Sequence, residues 1–225
     1  MNKRTMLTIA VLLMVTAPPV MAGDELAGPR EWDFAVTLDG EPFGAHQFRV
    51  DEGAGAQDKW KITSKADYAY TFIGVPLFHY HHVAHEQWRG GCLSRLTADT
   101  DHDGELSHVR AFAAHNDGTV QTGNSADGTN KQTAWNGCLM SFAYWNPEMR
   151  RQTRLLNPET GEIEPVTITQ EPDITISVRG QTIQAHVWRV AGKHDPIDVL
   201  YDSDDNWVGL NATVRGGRAL SYRLP

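Results

Sequence analysis

Beyond residue 22 no stretch of this 225-residue chain is apolar enough to cross a bilayer, and only two residues are cysteine. A transmembrane helix needs about twenty consecutive apolar residues, so the body of the protein carries none. Two cysteines allow one internal bridge at most. Catalytic signatures are missing as well. There is no Gly-x-Ser-x-Gly elbow, phosphate-binding glycine loop, Cys-x-x-Cys pair or dinucleotide fingerprint. Carboxylates and histidines are numerous, but no spacing singles out an acid–base pair.

What is present begins with an export pattern. Lys3 and Arg4 precede an apolar run from Met6 to Val15, and Pro18-Pro19 then leads to Val20-Met21-Ala22, with small side chains where signal peptidase requires them. The expectation is a signal peptide over 1–22, cleaved after Ala22, a periplasmic location, and one β-rich domain over 23–225. That body has 203 residues with twenty-eight acids against eighteen bases, a net charge of −10. An acidic surface repels nucleic acid and anionic membranes alike. In an oxidising compartment, Cys92 and Cys138, each within a Gly-Cys-Leu triplet, are expected to pair; the alternative is two buried thiols.

The dominant period is two. Trp32-Phe34-Val36-Leu38 alternates with polar neighbours up to Asp39-Gly40, and Phe43 to Val50 resumes the alternation until Gly53-Ala54-Gly55. Further segments follow at 60–72, 78–89, 92–100 and 106–115, with turns at Gly90-Gly91, Asp103-Gly104 and Asp117-Gly118. Beyond a Gly-, Asn- and Asp-rich stretch at 116–134, read as a long loop or weak edge strands, the pattern returns at 162–170, 173–179, 182–191, 197–202, 207–215 and 218–224. This reads as a mainly all-β fold, a curved antiparallel meander sheet or incomplete barrel of ten to twelve strands. One short helix is expected, with Asn146 as cap, Pro147 in the first turn and Met149 to Leu156 as its body.

Three constellations carry possible chemistry. In His79-Tyr80-His81-His82-Val83-Ala84-His85-Glu86, strand alternation puts His79, His81 and His85 on one face and Tyr80, His82 and Glu86 on the other. The three imidazoles are candidate ligands for a divalent transition metal, although no His-Glu-x-x-His motif accompanies them; the plainer reading is an imidazole-rich strand. Asp99-Thr100-Asp101-His102-Asp103-Gly104 imitates an EF-hand loop, but Arg110 stands where the bidentate glutamate belongs, so a hairpin turn is the better account. Asp202 to Asn206 likewise reads as a turn. Seven tryptophans either fill a large core or line a groove.

Several stretches carry a resemblance: Trp32-Asp33-Phe34…Leu38-Asp39-Gly40…Gly44, Tyr80…His82…Glu86-x-Trp88…Gly91, Tyr144-Trp145-Asn146-Pro147, Leu155-Leu156-Asn157-Pro158-x-Thr160-Gly161, and Tyr201-Asp202…Trp207-Val208-x-Leu210 through Leu220-x-Tyr222-x-Leu224. The chain resembles an uncharacterised family of exported bacterial proteins, a domain of unknown function. The resemblance implies a β-rich periplasmic protein and supplies no catalytic residues. A looser fold analogy is to periplasmic lipoprotein carriers, whose curved sheets wrap a lipid cavity. The expected function is non-enzymatic binding of an apolar or lipid-like molecule on a concave face supplied by Phe34, Tyr68, Tyr70 and Phe72, with Val36, Phe48, Val187 and Val199. The rivals are a metal-binding protein built on the histidines, or a hydrolase or isomerase whose site is assembled only by folding.

Overall fold

The computed structural model describes residues 30–52, 60–73, 75–115, 117–126, 128–214 and 216–225. The expected signal peptide over 1–22, the Gly53-Ala54-Gly55 break and the side chain of Phe72 lie outside the described residues.

The alternating segments become strands that meander twice. The first meander is β1 (Arg30–Leu38), β2 (Glu41–Glu52), β3 (Trp60–Phe72), β4 (Val75–Arg89), β5 (Cys92–His102), β6 (Glu105–Ala114), β7 (Asp117–Asn124) and β8 (Asn130–Trp135). A crossing segment follows, with β9 (Met140–Ser141), a 3-10 turn over Pro147–Arg151, β10 (Arg154–Leu156) and β11 (Ile163–Pro165). The second meander is β12 (Thr167–Val178), β13 (Gln181–Ala191), β14 (Ile197–Tyr201), β15 (Trp207–Val214) and β16 (Arg218–Arg223). The last strand lies antiparallel beside the first, Val36 opposite Tyr222, and this pairing fuses both meanders into one thirteen-stranded sheet with β12 and β8 at its edges.

Turn chemistry sets the register. Asp39-Gly40, Gly90-Gly91, Asp103-Gly104 and Arg179-Gly180 each close a two-residue hairpin with positive φ at both positions. Such turns match the right-handed twist of their strands. Register shifts at Val36/Thr37, Tyr70/Thr71, Gln87/Trp88 and Leu200/Tyr201 add local twist. A twisted sheet of this width coils and encloses a concave face. Outward positions of β3 are Lys61, Thr63, Lys65 and Asp67, whereas Ile62, Ser64 and Ala66 point inward and are buried.

The segment between the meanders crosses this concavity. Leu139, Met140, Met149, Leu155 and Leu156 are at most 1% exposed and meet Trp88, Trp145 and Trp207 in the main core. Cys92 and Cys138 are bonded, 5.3 Å between Cα atoms, and Leu93 N–H donates to Leu139 O beside them. The bridge therefore ties the first crossing residues to β5. Across a separation of 46 residues it stabilises by about 4 kcal/mol in the chain-entropy picture.

Five sequence expectations shift. The helix shrinks to one 3-10 turn, capped as expected by Asn146 Oδ1 accepting from Glu148 N–H at 3.0 Å. Arg154 to Leu156 instead extends, because a segment inside the core must pair its backbone polar groups, and β10 finds β9 and β11 on its two sides. Of the two readings for residues 116–134, edge strands is the one that forms: they supply β7 and β8, with β8 at the sheet edge, which raises the strand number above twelve. Asp117-Gly118 opens β7 rather than turning, because the hairpin closes one dipeptide earlier with Ala114 opposite Asp117; the Trp135 ring lies where a Gly118 side chain would sit. Residues 167–178 form one strand with an irregularity at Glu171/Ile174 rather than two. Val187 faces away from the main core and joins Ile176, Ala185, Leu200 and Val208 in a small second cluster.

Candidate functional site

The crossing segment fills only one end of the concavity. At the other end the inner positions of β2, β3 and β4 carry small or polar side chains, and a cavity of about 1210 Å³ remains. Its walls are the inner sheet face, including Ser64, Ala66, Ala84 and Leu220, and the crossing residues Phe142, Tyr144 and Pro158. The 192–196 connection forms part of its exposed rim, with Asp103 and Tyr70. Typical small-molecule sites measure roughly 300–1,000 Å³, so the space suits a ligand of that size or larger. A smaller polar cavity of about 450 Å³ lies beside it under the Glu159–Glu162 turn, with Glu159 and His102 lining both.

Aromatic rings line the mouth. Phe43 stacks on Tyr68 at 5.4 Å and on Phe78 at 5.5 Å, and Tyr68 stacks on Tyr80 at 5.3 Å. Beneath them lies a hydrogen-bonded cluster. His46 Nε2 meets Ser64 Oγ at 2.8 Å, and His46 Nδ1 lies 3.2 Å from both the Tyr68 and Tyr222 hydroxyls, which also bond each other. Burial, reinforced by nearby His82, lowers the His46 pKa to about 3, so the ring is neutral. His82, bonded through Nδ1 to Thr100 Oγ1 at 2.8 Å, is lowered to about 4, first by burial and then by His81. Burial raises Tyr68 and Tyr80 well above the ordinary phenol range.

Glu86 sits at the floor, where the hollow meets the packed end. One carboxylate oxygen accepts from Trp88 Nε1 at 2.7 Å and from Ser141 Oγ at 3.0 Å. Burial raises its pKa to about 6 against the lowering effect of those two donors. Glu159, hydrogen-bonded to Tyr80, is also raised by burial. The cationic lining residues are Lys193 and Arg218, each already in an exposed ion pair, with Glu162 and Asp39 respectively.

Of the expected ligand-contacting residues, Tyr68 and Tyr70 line the cavity, whereas Phe34 lies below it, 1% exposed against Trp207 and Tyr222. Trp145 is the single tryptophan among the described lining residues; most of the others are core. His79, His81 and His85 do share the outer face of β4. There His81 Nδ1 bonds Asp67 and His85 Nδ1 lies 3.2 Å from Thr63 Oγ1. Strand rise puts His79 and His85 about 20 Å apart. Among the described residues, the trio whose donors converge within 4.8 Å is Glu162, Glu164 and His194; buried Glu164 and exposed His194 line the large cavity and Glu162 the smaller one. Glu162 is held there by Lys193 at 2.6 Å and Glu164 by Asn157 at 2.9 Å.

Sequence reasoning placed Tyr80, His82 and Glu86 together but gave them no role, and it missed His46, Ser64 and Tyr222. The available signal was the run Ile62-Ser64-Ala66-Tyr68, whose inward positions are too small to fill a core. Nothing local links His46 to Tyr222, 176 residues away.

The family described as Domain of unknown function (DUF6134) matches residues 34–225. No curated protein matches the sequence. In three dimensions the fold is similar to a crystal structure of a beta-barrel-like protein of domain of unknown function DUF1849 from Brucella abortus. The TM-score is 0.61 at 9% identity, over 88% of this chain and 96% of that one. At that identity the likeness concerns the fold alone. Among the described residues no helix is long and apolar enough to cross a membrane.

Proposed function

The chain belongs to the family described as Domain of unknown function (DUF6134), and for it we propose non-enzymatic binding of an amphipathic small molecule in the open end of the concavity. The observation that carries this reading is a cavity of about 1210 Å³ whose mouth is aromatic and whose depth is hydrogen-bonding. Stacked rings offer contact to an apolar tail, and the Ser64–His46–Tyr222–Tyr68 cluster offers polar groups to a head. Catalysis is the weaker account. Ser64 and His46 are paired, but the far nitrogen of His46 meets two tyrosine hydroxyls rather than a carboxylate that would favour a charged imidazole.

The proposal includes export, supported by the Lys3–Ala22 pattern and the Cys92–Cys138 bond. Exported protein is expected to begin at Gly23 by mass analysis. Binding is tested by native mass spectrometry and lipid extraction of protein taken from its own periplasm, and by titration with N-phenyl-1-naphthylamine, an uncharged fluorescent probe. Saturable binding that disappears in Ala66→Trp, where the ring would occupy the hollow, is the expected result. A flat titration with no co-purified molecule removes the reading.

A further inference from the structure

Proton bookkeeping in the Ser64–His46–Tyr222–Tyr68 cluster leaves one hydroxyl hydrogen over. Neutral His46 has one N–H and one ring lone pair. If Nε2 carries the hydrogen, it donates to Ser64 Oγ, one tyrosine donates to Nδ1 and the other tyrosine donates to the first. The Ser64 hydrogen then has no acceptor within the cluster. If Nδ1 carries it, Ser64 donates to Nε2, Nδ1–H donates to a tyrosine oxygen, one tyrosine donates to the other, and a tyrosine hydrogen is left. Both tautomers therefore present one spare O–H donor, and Ser64, Tyr68 and Tyr222 all line the cavity. A buried donor without an acceptor is costly, so an occupant that supplies an oxygen is favoured.

The charges narrow what that oxygen belongs to. Among the described lining residues, Glu86, Glu159, Glu164, Asp103 and Asp195 are acids, and the two cations are at the rim, already paired. An anionic head entering the hollow would exchange water for a site with carboxylates and no available cation. We infer that the cavity selects amphipaths whose head is an uncharged hydrogen-bond acceptor, an ester, ketone or alcohol oxygen, and discriminates against carboxylates bearing the same tail. This rests on the binding reading above.

The experiment displaces bound N-phenyl-1-naphthylamine from the wild-type protein at pH 7.5 with methyl dodecanoate, dodecan-1-ol, dodecanoate and dodecane. The two neutral polar ligands are expected to displace at concentrations at least tenfold below that of dodecanoate, and several-fold below dodecane. Ser64→Ala, Tyr68→Phe and Tyr222→Phe, each checked for native circular dichroism, identify the spare donor. The variant lacking it loses the advantage of methyl dodecanoate over dodecane while still binding dodecane. Dodecanoate binding as tightly as the ester overturns the headgroup inference and leaves cavity binding standing. If the probe itself does not bind, the binding reading fails and the inference falls with it.

Discussion

The two ends of the concave face use the same strands and come out opposite. β4 carries Trp88, fully buried, at one end and half-buried Tyr80 at the other; β3 runs from buried Ile62 to half-buried Tyr68. At the packed end the crossing segment brings Leu155, Leu156 and Met149, each fully buried, into the core with those strands. At the hollow end the crossing chain supplies wall residues, Phe142, Tyr144 and the Asn157–Glu159 turn, without filling the space, while Ser64, Ala66 and Ala84 take up little volume. The difference lies in what is laid on the sheet, together with side-chain size at three inward positions. Secondary structure is the same throughout.

This contrast can be broken most forcefully at the bridge. Cys92→Ser with Cys138→Ser is expected to cost about 4 kcal/mol in chemical denaturation, because the crossing segment loses its tie to β5. Leu155→Ala is expected to cost roughly 3 kcal/mol by leaving a cavity in a region with no room to collapse. An unchanged denaturation midpoint for Leu155→Ala would show that the end described as packed is loose.

Enlarging a side chain sharpens the comparison. Ala111→Leu, in the packed core, should destabilise by about 1–3 kcal/mol. Ala66→Leu, facing the hollow, should change stability by less than about 1 kcal/mol and weaken probe binding. Equal losses from both would contradict a void at Ala66.

The smallest effect is graded with pH and belongs to the hollow end. His46 and His82 have folded pKa values lowered to about 3 and 4, below the ordinary histidine value of 6.5. The unfolded chain therefore takes up protons first, and stability falls as pH drops below about 6.5. Glu86, raised to about 6 from 4.5, and Glu159, also raised by burial, act in the opposite sense, but Glu86 is displaced less than either histidine. The net expectation is a loss of roughly 1 kcal/mol per pH unit between pH 6 and 4.5, read as a falling Tm. His82→Gln should flatten that slope; a profile identical to wild type would remove His82 as a contributor.

Much of the fold was legible because period-two alternation and Asp-Gly or Gly-Gly turns are local signals. The Asp39-Gly40, Gly90-Gly91 and Asp103-Gly104 hairpins formed where the chain calls for them, and the EF-hand-like stretch is one of those turns. Asp117-Gly118 carries the same dipeptide signal and is strand, with Gly118 paired between Ala113 and Trp135. Leu155 and Leu156 satisfy helical patterning, yet extend because the core around them supplies strand partners. In both places a contact distant in sequence outweighed a local preference of about 1 kcal/mol or less.

By itself, then, the sequence determined an acidic, β-rich chain, the faces of its strands, most of its turns and the separation of outward His79, His81 and His85 from inward Tyr80, His82 and Glu86. These follow from side-chain alternation and turn geometry, which act over a few residues. Tertiary structure alone decided that β16 closes on β1, that the crossing segment stops short of one end, and that His46, Ser64, Tyr68 and Tyr222 meet there. Those outcomes depend on how far the sheet coils and where distant segments come to rest against it, and coiling is a collective property of thirteen twisted strands.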